Sequence, residues 1–559
     1  MSKQGRGRAL RGRDRGDSAR RHPPDRRGEL QAVVQAAAPW ILTAVALGLR
    51  LFRLGHEPLW FDEAYTALTA VKPVTDIVAV LQTEGNPPLY YLVLHVWSAW
   101  FGDSEWALRM VSALVGAATV PLVYWVGARL FSRRAGLIAA GLATVSPLQV
   151  HYSQEVRMYC MVPPLALGVL YGLHQLLVVP TPTVAAFALF VAAATAGLYV
   201  HYYFLFVLPL AGCALFMPER RRVVPIITAA LVVVAVGFGP WWATFFRQAG
   251  SGVQDWVAEW WRGRPFWYAV PWSLESIGPG ALYPPMANFK FPSWVVARVV
   301  SLALAALVLG GACWCLLQAW RQRTSEPAGA QRTRPDEATG ADGSPLAWML
   351  TLGAVLLPLL VAFALSALRK PIYVVGRHDM IAWGPYYVLA GAVLARLRPP
   401  LRAGAVSVWV GLSLATLVPY FTKDRPKRNY ADFGDTTARM ITERARPGEI
   451  VIFTAGTRTM AQYYLRGATE RTRLVSYPLG GDEHLGWIDP RIRTDAAFAA
   501  EAAEQFARWL SESNPLPPAV WVVAPQSRGT AQLLGELGRL GYHADQSRST
   551  GILLYLRRG

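Results

Sequence analysis

A chain of 559 residues with 53% hydrophobic residues, 16% charged residues and 22 Trp is either several soluble domains or one large membrane domain with an appendage. Its net charge of +19 would suggest a nucleic-acid partner on one soluble face, but much of it lies at the N-terminus and in short loops, which excludes that reading. All four cysteines, Cys160, Cys213, Cys313 and Cys315, fall in apolar stretches without His or Cys at zinc spacing, so neither disulfides nor a cysteine-bound metal is expected.

In chain order, residues 1–29 hold ten Lys and Arg among Gly, Asp and Pro, too polar and self-repelling to build a core. Residues 1–33 therefore read as a disordered basic cytoplasmic arm suited to anionic lipid. No small-residue cleavage site follows the first apolar segment, so that segment is expected to stay as an anchor.

From 34 to 421 the sequence is a succession of Leu-, Val-, Ala- and Trp-rich stretches, many near the ~20 residues that cross a ~30 Å hydrocarbon core. They are drawn at 34–54, 106–131, 137–150, 160–178, 183–200, 204–217, 224–243, 293–318, 346–367, 378–396 and 403–421, about 11 transmembrane helices. With the N-terminus cytoplasmic, the inner loops contain Arg133-Arg134, Arg220-Arg221-Arg222, Arg321 through Arg334, and Arg396 to Arg402, the Lys/Arg asymmetry of that side. Counting Pro88 to Phe101 as a span would reverse this, so it is read as interfacial.

The outer loops are then 55–105, 151–159, 201–203, 244–292 and 368–377, and the chain beyond 421. The first reads Pro58-Leu59-Trp60-Phe61-Asp62-Glu63-Ala64-Tyr65-Thr66. A carboxylate at an apolar boundary is suited to taking a proton from a hydroxyl, and acids that cap a helix N-terminus are the alternative. Further on come Glu84-Gly85-Asn86-Pro87-Pro88-Leu89-Tyr90-Tyr91, where the prolines fix the backbone and the tyrosines anchor the interface.

The loop His151-Tyr152-Ser153-Gln154-Glu155-Val156-Arg157-Met158-Tyr159 sets imidazole, carboxylate and guanidinium beside hydrocarbon, which is costly unless paired or functional. A structural Glu155–Arg157 pair is the alternative. His201 and Tyr202 mark the next outer turn. The loop 244–292, rich in Trp, is either a lid or an aromatic belt, and 321–345 reads as a cytoplasmic linker. Arg369-Lys370 through Arg377-His378-Asp379 is a basic outer loop against the positive-inside tendency, which an anionic substrate explains.

Beyond 421 the composition turns soluble. Strands are predicted at Glu449–Phe453, Ala519–Val523 and Ile552–Leu556, with helices at 458–466, 495–513 and 528–540, giving an extracytoplasmic α/β domain over 422–559 for acceptor recognition or packing on the outer loops.

In LWFDEAYT, NPPLYYLVLHVW, SEWALRMVSALVGAATVPLVYWVGARLF, HYSQEVRMY and VHYY the chain resembles the GT-C membrane glycosyltransferases, on the protein O-mannosyltransferase and aminoarabinose-transferase branch. The resemblance covers most of 50–220. It implies a GT-C-like polytopic α-helical domain in the inner or plasma membrane, moving a sugar with inversion from polyprenyl phosphate to an extracytoplasmic hydroxyl of a protein, lipid or cell-envelope glycan. Asp62 is then the base, Glu63 and Glu155 support acceptor or sugar, and Arg157, Arg377, His378 and Lys370 hold the donor phosphate. Tyr65, Asn86, Tyr90, Tyr91, His151, Tyr159, His201 and Tyr202 would line the substrate pocket. Relatives often have His at the position of Asn86, which puts any role of that His in doubt here. No cofactor is expected; a divalent metal is compatible with these motifs but not demanded by them. A multi-pass transporter of a phosphorylated lipid or sugar is the rival reading, although no repeated halves are visible.

Overall fold

The computed structural model describes all residues except 1–25, 180, 217, 252–254, 281–293, 326–343, 423–431, 455–456, 467–471, 481–490, 514, 524–527, 545–551 and 558–559. Most of the predicted basic arm and of the linker 321–345 therefore lies outside the described residues. Of the arm, 26–33 already belong to helix α1 (Arg26–Leu51).

The segment after α1 is not an open loop. It folds into α2 (Phe61–Ala70), α3 (Val74–Thr83) and α4 (Leu89–Phe101). With 13 residues and a rise of ~1.5 Å each, α4 is about 20 Å long, too short to cross a bilayer core. There follow α5 (Glu105–Leu130), α6 (Arg133–Thr144), α7 (Pro147–Ser153), α8 (Val162–Val178) and α9 (Val184–Val200). The predicted span 137–150 is thus two helices, because Ser146-Pro147 ends one and starts the next. Residues 202–216 wind as 3-10 turns instead of an α-helix.

α10 (Val224–Gly237) and α11 (Gly239–Gly250) meet at a 74° bend, where Pro240 sits in the first turn of α11 and Tyr199 donates to Gly237 O at 3.1 Å. α12 (Asp255–Trp261) and α13 (Ala269–Ile277) occupy the predicted aromatic loop, before α14 (Trp294–Ser325), α15 (Pro345–Leu368), α16 (Met380–Arg396) and α17 (Pro399–Thr422). Among the described residues five helices are long and apolar enough to cross a membrane, six with the bent pair, while Ala36–Leu51, Val184–Val200 and Tyr202–Leu215 are shorter apolar helices. The chain is a polytopic membrane protein.

Its center is α16, buried from Met380 to Leu394. α6 crosses it so closely that a Cβ on Gly391 would stand 2.3 Å from Ala135 O, and one on Gly136 would stand 2.4 Å from Tyr124 O of α5. Small residues let these backbones approach where lipid offers no hydrophobic drive.

The C-terminal part is a five-stranded sheet of β1 (Ile450–Thr454), β2 (Arg473–Tyr477), β3 (Ala519–Val523), β4 (Tyr542–Ala544) and β5 (Ile552–Arg557), in the order β2-β1-β3-β5-β4. β1 runs parallel to β2 and β3, and β5 antiparallel to β3 and β4. Alternation along β1 sends Val451 and Phe453 against α18 (Asp432–Arg444) and α19 (Thr457–Tyr464). Ile450 and Ile452 face α20 (Arg491–Thr494), α21 (Ala496–Ser511) and α22 (Arg528–Arg539). The predicted strands and helices are present here, joined by β2 and β4, which are short or half-exposed and carry a weak apolar signal.

Candidate active site

The two acids open α2. Trp60 is its N-cap, and Glu63 at the third helical position turns its side chain back to the Trp60 N–H, a capping-box arrangement. The capping alternative thus holds for Glu63. Beyond the cap, Arg109 of α5 grips both oxygens of this carboxylate with one edge of its guanidinium, Nε to Oε1 at 2.8 Å and Nη2 to Oε2 at 2.6 Å, and both side chains are fully buried. Val156 N–H donates to the same Oε1 at 2.9 Å. Arg109 also donates to Leu54 O (3.1 Å), Glu57 O (2.7 Å) and Pro58 O (3.3 Å), which ties the turn before α2 to α5. Arg109 went unselected in the sequence, although a lone Arg in an apolar helix signals a buried partner.

Asp62, one residue earlier on the helix, faces outward. Its Oδ2 lies 3.2 Å from Arg377 Nη2, with both side chains about one-fifth exposed. Arg377 is also within cation–π range of Trp60 (5.7 Å) and Trp256 (5.6 Å). Trp256 belongs to α12, so the predicted aromatic segment reaches over the guanidinium. Burial alone would weaken the charge on Arg377, but Asp62, Tyr159 and Tyr152 outweigh it and raise its pKa.

A second guanidinium, that of Arg157, feels the charge of Asp62. Arg157 is almost fully buried, donates Nη1 to Thr66 Oγ1 at 3.0 Å, and lies 5.8 Å from the Tyr159 ring centre. Its Nε is buried without an acceptor among the described residues. Burial opposes its charge, and Tyr91, Asp62 and Tyr159 together overcome that and raise its pKa. Thr66 in turn donates to Asp62 O at 2.7 Å, so one helical turn links both residues.

The loop carrying Arg377 is held from several directions. Tyr203 donates to Ile372 O at 2.6 Å, Trp261 Nε1 to Tyr373 O at 2.6 Å, and Tyr152 to Gly376 O. Gly376 has a positive φ of 79°, the left-handed conformation that favours glycine. Its N–H donates to Asp379 Oδ2 at 2.9 Å, and Val374 N–H donates to His378 Nδ1 at 3.0 Å. Asp379, a residue not selected in the sequence, is fully buried, and burial pushes its carboxyl up to about 7 despite the Gly376 and Ser273 bonds. Its signal was position: it directly precedes α16 and its side chain reaches back three residues.

The two imidazoles are neutral. Burial first, then His201 and Arg377, hold His378 well below the ordinary range; burial, then Arg157, brings His201 down to about 4. With Nδ1 accepting, His378 keeps its proton on Nε2. It is a neutral donor, not a second cation, and its ring lies 5.3 Å from that of His201.

Other predicted residues fall elsewhere. His151 and Tyr152 are in α7 instead of a loop, and Glu155 pairs with His151 (3.2 Å), not with Arg157. Tyr90 bonds Ser112 at 3.0 Å within the bundle, and Tyr202 donates to Gln248 at 2.5 Å and accepts from Trp241 at 2.8 Å. The hydroxyls of these two are thus engaged with α5 and α11. Tyr65 and Tyr91 both feel the carboxylate of buried Glu84, and Tyr159 lies between Arg157 and His201. Asn86 and Lys370 are half-buried. Among the described residues no group of three or more His, Cys, Asp or Glu could hold a metal.

Residues 85–243 match the family model described as dolichyl-phosphate-mannose-protein mannosyltransferase. No curated protein matches the chain in sequence. The structure is similar to ArnT from Cupriavidus metallidurans in the apo state, with a TM-score of 0.56 and 14% identity over 95% of this chain and 98% of that one. The same ArnT bound to undecaprenyl phosphate gives 0.54 and 15% over 94% and 97%. Oligosaccharyltransferase AglB from Archaeoglobus fulgidus, in complex with an inhibitory peptide and a dolichol-phosphate, gives 0.51 and 11% over 95% and 75%. The matched stretch overlaps the motifs around Pro87, Arg157 and His201, and along nearly its whole length this protein has the fold of the GT-C membrane glycosyltransferases that ArnT and AglB share.

Proposed function

We propose that the chain transfers a sugar from a polyprenyl-phosphate donor to a hydroxyl acceptor on the outer face of the membrane, with inversion. The observation that carries this reading is the half-open Asp62–Arg377 pair at 3.2 Å, with a second guanidinium, that of Arg157, near enough to feel the Asp62 charge. Two cations against one carboxylate, beside neutral imidazoles, favour an anion. Bound relatives of this fold supply its class: undecaprenyl phosphate in ArnT and dolichol-phosphate in AglB.

Phosphate arriving at Arg157 and Arg377 competes with Asp62 for Arg377 and releases the carboxylate toward the acceptor. The acceptor oxygen then forms its bond to the anomeric carbon, its proton passes to Asp62, and the bond to the lipid phosphate breaks with its electron pair going to phosphate. The guanidiniums compensate the charge that develops there, and His378 donates from Nε2. Glu63 positions this machinery through its pair with Arg109. Glu155 acts through His151, and Tyr65, Tyr91, Tyr159, His201 and Asn86 shape the sugar and acceptor space, with Lys370 at the edge of the phosphate site.

The test uses sealed vesicles carrying the full chain and labelled polyprenyl-phosphate sugars, with wild type and Asp62→Asn. Transfer in wild type that disappears in the variant supports the reading. Transfer that survives unchanged removes Asp62 as base, and uptake without transfer favours a transporter.

A further inference from the structure

α19 joins the sheet domain to the membrane domain, and it does so next to the acid pair. Met460 and Tyr463 are buried in the membrane-domain core. Tyr463 donates to Asp103 O at 2.6 Å, and Arg466 pairs with the Asp103 carboxylate while lying 3.8 Å over the Tyr463 ring. These contacts hold the domain in place.

Tyr464 reaches something different. Its hydroxyl accepts the Leu59 N–H at 2.7 Å and donates to the Glu105 carboxylate. Leu59 lies just before the N-cap of α2, three positions ahead of Asp62, and is fully buried. Glu105 is in the first turn of α5, one helical turn before Arg109. A single phenol oxygen therefore joins the turn that presents Asp62 to the helix that grips Glu63. The ring has a shaped seat: a Cβ on Gly434 of α18 would stand 3.1 Å from Tyr464 Cε2 and 3.2 Å from Met460 Cβ.

We infer that Tyr464 is a positioning residue for Asp62, through which the C-terminal domain fixes the active-site turn of the membrane domain. Without the hydroxyl, a buried Leu59 N–H loses its acceptor and the link from this turn to Glu105, while the Arg109 bonds and the Glu63 cap on Trp60 N–H remain. The inference rests on the proposed role of Asp62 for its consequence in turnover, but not for its structural part.

The experiment takes the full chain in lipid nanodiscs and compares Tyr464→Phe, which keeps the ring, with Arg466→Ala, which weakens docking but leaves the Leu59–Tyr464–Glu105 bonds. Two quantities are read: backbone amide exchange across 57–63, and kcat and KM with undecaprenyl-phosphate mannose. Tyr464→Phe is expected to speed exchange about tenfold and lower kcat about tenfold with KM within about twofold. Arg466→Ala is expected to leave both near wild type. Equal acceleration at 57–63 in the two variants, or wild-type exchange in Tyr464→Phe, overturns the inference. A wild type without turnover counts against the proposed function, and the exchange result then decides the positioning claim by itself. Should Tyr464→Phe fail to fold, Glu105→Ala removes the acceptor that orients the hydroxyl, and exchange across 57–63 should rise about threefold; no rise refutes the inference.

Discussion

Asp62 and Glu63 are neighbours on one helix turn, and each meets an arginine, yet the two pairs differ in kind. Glu63 and Arg109 are sealed in the bundle, bonded through both carboxylate oxygens and surrounded by backbone partners. Asp62 and Arg377 meet by one contact with both side chains partly open, beneath exposed Trp256. A sealed bidentate pair cannot trade partners without leaving a buried charge, so it serves architecture. A half-open pair with a surplus cation beside it can give its arginine to an incoming anion.

The sharpest way to break this contrast is to remove the two carboxylate charges separately. Asp62→Asn is expected to cut turnover by about 10²- to 10⁴-fold, the range of general-base catalysis, with thermal stability in detergent unchanged. Glu63→Gln should do the reverse in kind: a loss of about 3–5 kcal/mol, as when one partner of a buried ion pair is removed, visible as poor yield and early melting. If both variants melted like wild type and lost turnover equally, the division between architecture and chemistry would be wrong.

Arg377→Ala sharpens the open side of the comparison. Undecaprenyl phosphate should bind roughly 10- to 100-fold more weakly, the worth of one or two charge-assisted hydrogen bonds, with the fold intact. Arg377→Lys should recover only part, since an ammonium cannot replace the planar fork. Titration of the lipid phosphate by calorimetry or native mass spectrometry measures both, and unaltered affinity in Arg377→Ala would refute the phosphate role.

The same contrast marks what could be read in the sequence. Asp62, Arg157 and Arg377 were legible because each breaks a pattern: acids at an apolar boundary, and arginines on the face where positive charge is scarce. Their meeting was not, since it depends on how the loop over 369–379 is held by Tyr152, Tyr203 and Trp261 from distant helices. The long apolar segments were legible by length. Where Pro147 starts a new helix, or 202–216 tightens into 3-10 turns, apolar character continued and hid the break. The hydroxyl partners of Tyr90 and Tyr202 were not legible, because interfacial tyrosines and packing tyrosines have the same local sequence signal. Partners such as Ser112, Gln248 and Trp241 are set by tertiary packing alone.

The smallest predicted effect concerns the carboxyl beneath Arg377. Asp379 has a folded-state pKa of about 7, above its ordinary value of 3.8, chiefly through burial. A raised value means the fold prefers the neutral acid. Its stabilising share is complete below about pH 3.8 and is lost as pH rises through about 7, where the buried group must ionise. Asp379→Asn keeps an oxygen to accept the Gly376 N–H and is neutral throughout. Its melting temperature should equal that of wild type near pH 4 and exceed it by roughly 2–4 °C near pH 8, the scale of the ~4 kcal/mol that a rise from 3.8 to about 7 represents when set against an unfolding entropy of ~2 cal/mol/K per residue in a chain of this length. An equal gain at both pH values would mean that shape, not charge, sets the effect. A loss at pH 8 would mean that the ionised carboxylate is what holds Gly376, and through it the loop that delivers Arg377 to Asp62.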